Sequence, residues 1–413
     1  MKLMRGAWYA IFILVCVGAA DTLGDTLTGG LWGVPDGLEK KGILVDMGIT
    51  NIYQLNLQGG INTNQQRGRY TGSYDVELTA DLERYFGISG ASFFIHAEGS
   101  WPGDSVDDVS IESFFGVNGD AGDHRRFDIT EAYWEQGLWD NTLMFRIGKL
   151  DITGGFECSG CPVSFDGNQY ANDETTQFLN GALVNNPTIP FPAYALAAVV
   201  HWNPIEDWYA SFGMADSQGD YRRTGFQTAF DGRDYYLYIV ETGVTPRMQS
   251  ANGDLPGAYR FGMWYQPEPK SVTGGSDVHT DDTGFYASFD QLLYRESGAE
   301  NDMQGLGGFF RYGFAREQAN DLNHFVSFGV QYEGLFEGRE EDVLGFGCAY
   351  GIFSDEASNT YTDDFENAVE LYYNVKITPW MQLSPSIQYV TNPNGNRSTS
   401  DALVAGMRTQ IVF

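Results

Sequence analysis

Along most of the chain every second residue is apolar. Residues 43–55 place Ile43, Val45, Met47, Ile49, Tyr53 and Leu55 on one face, and Asp46, Thr50 and Gln54 on the other. A period of two is extended backbone, and such a strand suits a wall with lipid on one side and water on the other. Residues 74–83 repeat the pattern in opposite parity, with Val76, Leu78 and Leu82 against Asp75, Glu77, Thr79 and Asp81. Near the C-terminus Val369, Leu371, Tyr373, Val375 and Ile377 oppose Glu370, Tyr372, Asn374 and Lys376. After a tight turn at Thr378-Pro379, Met381, Leu383, Ile387 and Tyr389 oppose Gln382, Ser384, Ser386 and Gln388. The same period marks 91–98, 127–136, 142–150, 194–202, 208–215, 235–241, 258–266, 285–294, 306–314, 324–332, 343–352 and 402–413. Sixteen strands result, an even number within the range of single-chain bacterial barrels. The expected fold is all-β, a transmembrane antiparallel β-barrel.

Connection lengths agree. If the first strand runs outward, the external connections 56–73, 99–126, 151–193, 216–234, 267–284 and 353–366 are long, and the periplasmic ones 84–90, 137–141, 203–207 and 378–379 are short. That asymmetry is characteristic of outer-membrane barrels. Two periplasmic connections, 242–257 and 333–342, are longer than the rule requires. The longest connection, 151–193, is the natural candidate to fold inward and narrow the lumen, because a loop of that length usually carries function. An external cap is the alternative.

The N-terminus sets the compartment. Lys2 and Arg5 precede an apolar run from Ala7 to Val17 and the small residues Gly18-Ala19-Ala20, so residues 1–20 read as a cleaved secretory signal. Val15 before Cys16 is a poor match to a lipoprotein acylation site. Residues 21–42 form a pre-barrel segment in which Leu38-Glu39-Lys40-Lys41 suffices for a short helical turn, placed in or just below the lumen; residues 43–413 are the barrel. No apolar stretch after the signal approaches the roughly 20 residues a membrane helix needs.

Composition fits a wet barrel, with 51 glycines, 15% aromatics and 42% apolar residues. The formal charge of −31 becomes −33 without Lys2 and Arg5, which argues against nucleic acid as a partner. Cys158 and Cys161 form C-x-x-C within the Gly-rich stretch 154–167 of an exported chain, and a structural disulfide stiffening the loop is expected. Pro162 stands where haem attachment needs His, and no further ligands lie at zinc spacing, so no cofactor and no metal are expected. Cys348 alternates with Phe346 and Tyr350 as a buried or lipid-facing thiol.

Several motifs together resemble the carbohydrate-selective porins of the OprB family. Leu27-Thr28-Gly29, Trp32-Gly33 and Leu38-Glu39-Lys40-Lys41-Gly42-Ile43 are similar to its pre-barrel signature. Glu131-Ala132-Tyr133-Trp134-Glu135-Gln136, Arg146-Ile147-Gly148-Lys149 and the closing Gly406-Met407-Arg408 with Phe413 also fit. Val34-Pro35 departs from the family, replacing an Arg usually found soon after Trp-Gly, so no role is carried over from that Arg. The resemblance implies a sixteen-stranded outer-membrane porin that passes mono- or oligosaccharides into the periplasm by passive diffusion. It also implies a C-terminal strand, Leu403, Ala405, Met407 and Ile411 against Gly406, Arg408 and Gln410, that the outer-membrane assembly machinery recognises. Lipid and lipopolysaccharide are the other expected partners, and the assembly is a monomer or a homotrimer.

Sugars present hydroxyls and apolar C–H faces, so a sugar channel needs charged side chains and aromatic rings on its lumen wall. The inward parity supplies Glu131, Tyr133, Glu135, Arg146, Arg260, Trp264, Tyr286, Asp290, Arg311, Glu370, Tyr372, Gln388 and Arg408, and the long loop supplies Asp166, Tyr170 and Phe178. Arg146 is the first candidate for the constriction, beside the Glu131–Glu135 strand and just before the long loop. The same charges would also serve as ion-pair ladders that stiffen the wall. An acidic lumen disfavours anions. Competing readings are a general diffusion porin, an outer-membrane enzyme and a secreted lectin-like sandwich. Nothing in the sequence ties His96, His124, His201, His279 or His324 to a nucleophile, so no enzymatic activity is expected.

Overall fold

The computed structural model describes residues 27, 37–63, 68–101, 103–120, 127–153, 165–171, 177–220, 224–230, 232–299 and 304–413. The strands are β1 (Ile43–Gly60), β2 (Gly68–Asp81), β3 (Ala91–Ser100), β4 (Asp128–Leu138), β5 (Leu143–Leu150), β6 (Ala195–Ile205), β7 (Trp208–Asp216), β8 (Tyr236–Val244), β9 (Arg247–Ser250), β10 (Gly253–Gln266), β11 (Asp282–Arg295), β12 (Gly305–Ala315), β13 (Leu322–Glu333), β14 (Val343–Phe353), β15 (Phe365–Thr378), β16 (Met381–Thr391) and β17 (Ser400–Val412). Each of the sixteen alternating segments is a strand of the wall. The short β9 is additional; it pairs with the first residues of β10, while the rest of β10 pairs with β8.

Neighbours in sequence pair antiparallel around the wall, and β1 pairs with both β2 and β17, which closes the barrel. Closure leaves no strand edge to be desolvated in lipid. At the seam Gly48 faces Val412, and the Phe413 amide donates to the Met47 carbonyl at 3.0 Å. The two long periplasmic connections become hairpins. Strands β8 and β10 lengthen toward 242–257, where β9 makes a ribbon, and Phe336 bridges Arg339 within 333–342.

Leu82 is a correction to the strand reading. It begins a one-turn helix, α1 (Leu82–Phe86), because Asp81 caps it by accepting from the Arg84 amide at 3.1 Å, and Gly87 closes it in the left-handed conformation. Residues 37–39 form the helical turn read from Leu38-Glu39-Lys40-Lys41. It lies beside α1, and the Arg84 guanidinium donates to the Lys40 carbonyl. Leu27, Gly37 and the residues after it apart, the pre-barrel motifs, including Trp32-Gly33 and Val34-Pro35, lie outside the described residues.

The outward faces carry the lipid-facing surface. Phe212, Phe261, Met263, Phe328, Phe346 and Leu371 are all exposed, as alternation requires. Cys348 shares the outward face of Phe346 and Tyr350. Among the described residues no helix is long and apolar enough to cross a membrane.

Candidate functional site

The lumen is narrowed from within by two connections. Residues 165–171 and 177–194 of the β5–β6 connection lie against inward side chains of the wall such as Glu370 and Arg311. Residues 103–120 of the β3–β4 connection do so as well, which sequence did not anticipate. The two segments bond to each other, Gly119 N–H to Leu179 O at 2.7 Å and Gly181 N–H to Gly116 O at 3.0 Å.

Buried carboxylates on β15 hold both segments. Glu370 accepts from the Leu179 amide at 3.0 and 3.1 Å and the Asn180 amide at 2.8 Å. Asn180 in turn caps the short helix α2 (Gly181–Val184) and donates to Gln388 Oε1 at 3.1 Å. Four residues back along β15 and on the same face, Glu366 accepts from Ser113 Oγ at 2.6 Å, Phe114 N at 2.8 Å and Phe115 N at 3.1 Å. Buried backbone amides need such partners, and a carboxylate is the strongest acceptor available. Apolar contacts complete the docking: Phe178 lies between Phe309 and Tyr372, with ring centroids 5.7 and 5.0 Å away. Val106, Ile111 and Val117 pack on Val390, Ala402 and Val404.

Glycines on the wall make room. A Cβ at Gly307 would lie 2.1 Å from the Tyr170 ring, and one at Gly313 would lie 2.1 Å from Thr188 Oγ1. The abundance of glycine therefore has a steric purpose at these positions, separate from backbone flexibility.

Most predicted lumen residues from β8 onward are buried under these segments. Arg260 pairs with Asp290 at 2.5 Å, and Arg311 donates to the Leu183 carbonyl at 2.6 Å and the Asp166 carbonyl at 3.2 Å. Arg408 reaches Asp120 at 3.0 Å and the Gln177 carbonyl at 2.8 Å. Tyr286 and Tyr209 each donate to Glu241 at 2.6 Å. Trp264 is 1% exposed, with Lys270 Nζ 5.6 Å from its ring centroid. Burial pushes the Asp166 carboxyl up to about 6, against the opposing pull of Arg311. Cys158 and Cys161 lie outside the described residues.

The wall from β2 to β5 differs. Asp75, Glu77, His96, Glu98, Glu131, Glu135 and Arg146 point inward yet stay partly exposed, so water reaches the lumen along this side. Arg146 Nε meets Glu135 Oε2 at 2.6 Å, and the two side chains are 13% and 22% exposed. The same guanidinium lies 5.3 Å from the centroid of the Tyr133 ring, which packs 4.9 Å from Phe94. Glu131 accepts the Asp151 amide at 3.0 Å, fixing the first residue of the long connection to the wall. Five carboxylates with one guanidinium make this surface electronegative. Of these residues the site reading from sequence had Glu131, Tyr133, Glu135 and Arg146; it passed over His96 and Phe94, whose signal was their alternation with Phe93 and Ile95.

On the periplasmic side of the inserted loop a cavity of about 290 Å³ is lined by Tyr170, Arg295, Gln331, Glu333, Asn374 and Gln382 among others. It is polar and of mixed charge.

Comparison with known proteins adds three findings. A sequence model of the family described as "Carbohydrate-selective porin, OprB family" matches residues 65–413. The chain is 25% identical over 417 residues to Porin B of Pseudomonas aeruginosa, covering 91% of this chain and 88% of that protein. It is 24% identical to a putative porin, QuiX, of Acinetobacter baylyi, covering 94% and 93% respectively. In fold it superposes on the high-pH structure of Pseudomonas putida OprB with a TM-score of 0.81 at 21% identity, over 94% of this chain and 99% of that one.

Proposed function

The chain belongs to the carbohydrate-selective porin, OprB family, and from that premise we propose that its sugars cross along the β2–β5 wall, guided by Arg146, Glu135, Glu131 and Tyr133. The protein is an outer-membrane porin through which carbohydrates diffuse passively. The observation that carries the proposed route is the asymmetry of the lumen: the inward charged side chains of β2–β5 and His96 stay partly accessible, while Glu241, Arg260, Asp290, Arg311, Glu370 and Arg408 on the rest of the wall are buried.

The chemistry of that wall suits a neutral polyol. Arg146 and Glu135 present donors and acceptors at one level of the passage, and the Phe94–Tyr133 pair offers an aromatic surface to C–H faces. Because Arg146 and Glu135 already satisfy each other, a sugar hydroxyl exchanges with water and with half of an ion pair at little net cost. Weak, exchangeable binding is what permits flux. Buried pairs such as Arg260–Asp290 brace the wall instead.

Liposome swelling with mono- and disaccharides against amino acids of equal size tests the route and the selectivity. Sugars should enter faster than size-matched amino acids, and Arg146→Ala should narrow the difference. Equal rates in the native protein would make it a general diffusion porin.

The same reading extends to biogenesis. Residues 1–20 are removed on export, and the terminal strand with Phe413 is the segment offered to the assembly machinery. The outward face meets lipid, and the external rim meets lipopolysaccharide.

A further inference from the structure

One cluster on the open wall has no evident part in passing a neutral sugar. Asp75 and Glu77 stand two apart on β2, on the same inward face, and the pairing with β3 sets Glu77 opposite His96 and Asp75 opposite Glu98. One oxygen of each carboxylate and one ring nitrogen of His96 lie within 4.8 Å of one another. His96 Nδ1 is 3.3 Å from Thr130 Oγ1 and 3.7 Å from Glu131 Oε1, so hydroxyl and carboxylate oxygens occupy that edge of the ring. Nε2 is buried and has no hydrogen-bond partner among the described residues. A carboxylate beside Nδ1 favours the tautomer that leaves the Nε2 lone pair free, the arrangement common behind metal-bound histidines.

We propose that Asp75, Glu77 and His96 form a binding site for a divalent transition-metal ion of the Zn²⁺ class, with lumen water completing its coordination. Two facing carboxylates and a neutral imidazole supply two negative charges and one nitrogen. Oxygen-only ions such as Ca²⁺ and Mg²⁺ take six or more oxygen ligands and gain nothing from imidazole, whereas Zn²⁺ accepts a mixed oxygen–nitrogen set with water in the open position. Bonds of about 2.1 Å in tetrahedral geometry set ligand atoms about 3.4 Å apart, so the three side chains close in by roughly 1 Å, within reach of side-chain rotation. All three sit on adjacent paired strands, whose backbone fixes the spacing. A bound ion would cancel the charge of two carboxylates on the passage wall.

Calorimetric titration of the folded, detergent-purified full-length protein with ZnCl₂ at neutral pH tests this. The expected result is one saturable site per chain, weakened at least tenfold by H96Q and by D75N/E77Q, each variant retaining the heat-modifiable gel mobility of a folded barrel. CaCl₂ should give no saturable heat. Absorption of bound Co²⁺ by the unaltered protein, with d–d bands of four-coordinate intensity, reads the site without any substitution. Absence of saturable Zn²⁺ binding, binding unchanged in H96Q or in D75N/E77Q, or equal affinity for Ca²⁺ would overturn the assignment. In bilayers ZnCl₂ should lower the conductance of the native channel and leave that of D75N/E77Q unchanged. Only this electrical readout rests on the route proposed for sugars; a site that binds Zn²⁺ without altering conductance would refute the route and leave the site standing.

Discussion

Glu370→Ala should release the inserted loop without unfolding the barrel. The carboxylate is fully buried and accepts the Leu179 and Asn180 amides. Hydrogen bonds to a charged acceptor contribute about 1.5–3 kcal/mol each, so two lost bonds weaken docking by about 3–6 kcal/mol. The lumen is wet and water can enter the vacated space, which favours the lower end. A loss of about 3 kcal/mol lowers the ratio of docked to undocked loop by roughly a hundredfold. The barrel should survive, because the β14–β15 and β15–β16 ladders are backbone pairings that the substitution leaves intact. Single-channel conductance in planar bilayers should therefore rise and become noisier, and liposomes should swell with solutes too large for the native channel. Glu370→Gln, which keeps one acceptor oxygen, should fall between. Native gel mobility combined with unchanged conductance and unchanged solute cut-off in Glu370→Ala would refute the idea that this carboxylate holds the constriction.

Three other outcomes follow from the same geometry. Gly313→Val should also open the channel, since its Cβ would lie 2.1 Å from Thr188 Oγ1 and 2.5 Å from Asn186 Oδ1; unchanged conductance in a folded variant would count against tight loop packing. Arg146→Ala leaves Glu135 without its guanidinium partner, so the cation-to-anion permeability ratio, read as a reversal potential across a salt gradient, should rise; a fall or no change would remove Arg146 from the passage. Burial pushes the Asp107 carboxyl up to about 7 and that of Asp166 to about 6 from ordinary values near 4. Both therefore hold protons more tightly docked than in water, so docking is strongest in acid and weakens as pH rises through about 4 to 7. Protease accessibility of the two inserted segments should increase from pH 5 to pH 8, and Asp107→Asn should flatten that rise.

The fold was legible because the membrane imposes a local rule. Each strand must show lipid one face and water the other, so Val369 to Ile377 against Glu370 to Lys376 identifies β15 with no knowledge of its neighbours. Arg146 and Glu135 were legible for the same reason, since parity alone sends both inward. Leu82 escaped the rule because the Asp81 cap competes locally with strand continuation.

By itself, then, the sequence determined the sixteen strands, their inward and outward faces and the closing role of the terminal strand, all properties with a period of two residues. Tertiary structure decided which inward residues meet water. Glu370 holds amides 190 and 191 positions away and Glu366 holds amides more than 250 positions away, and no local pattern marks such partners. A carboxylate beneath a docked loop and one beside open water occupy the same parity on similar strands. Only the path of residues 103–120, 165–171 and 177–194 separates Arg311 and Arg408, which bond to the inserted loops, from Glu131, Glu135 and Arg146, which stay partly exposed on the lumen wall.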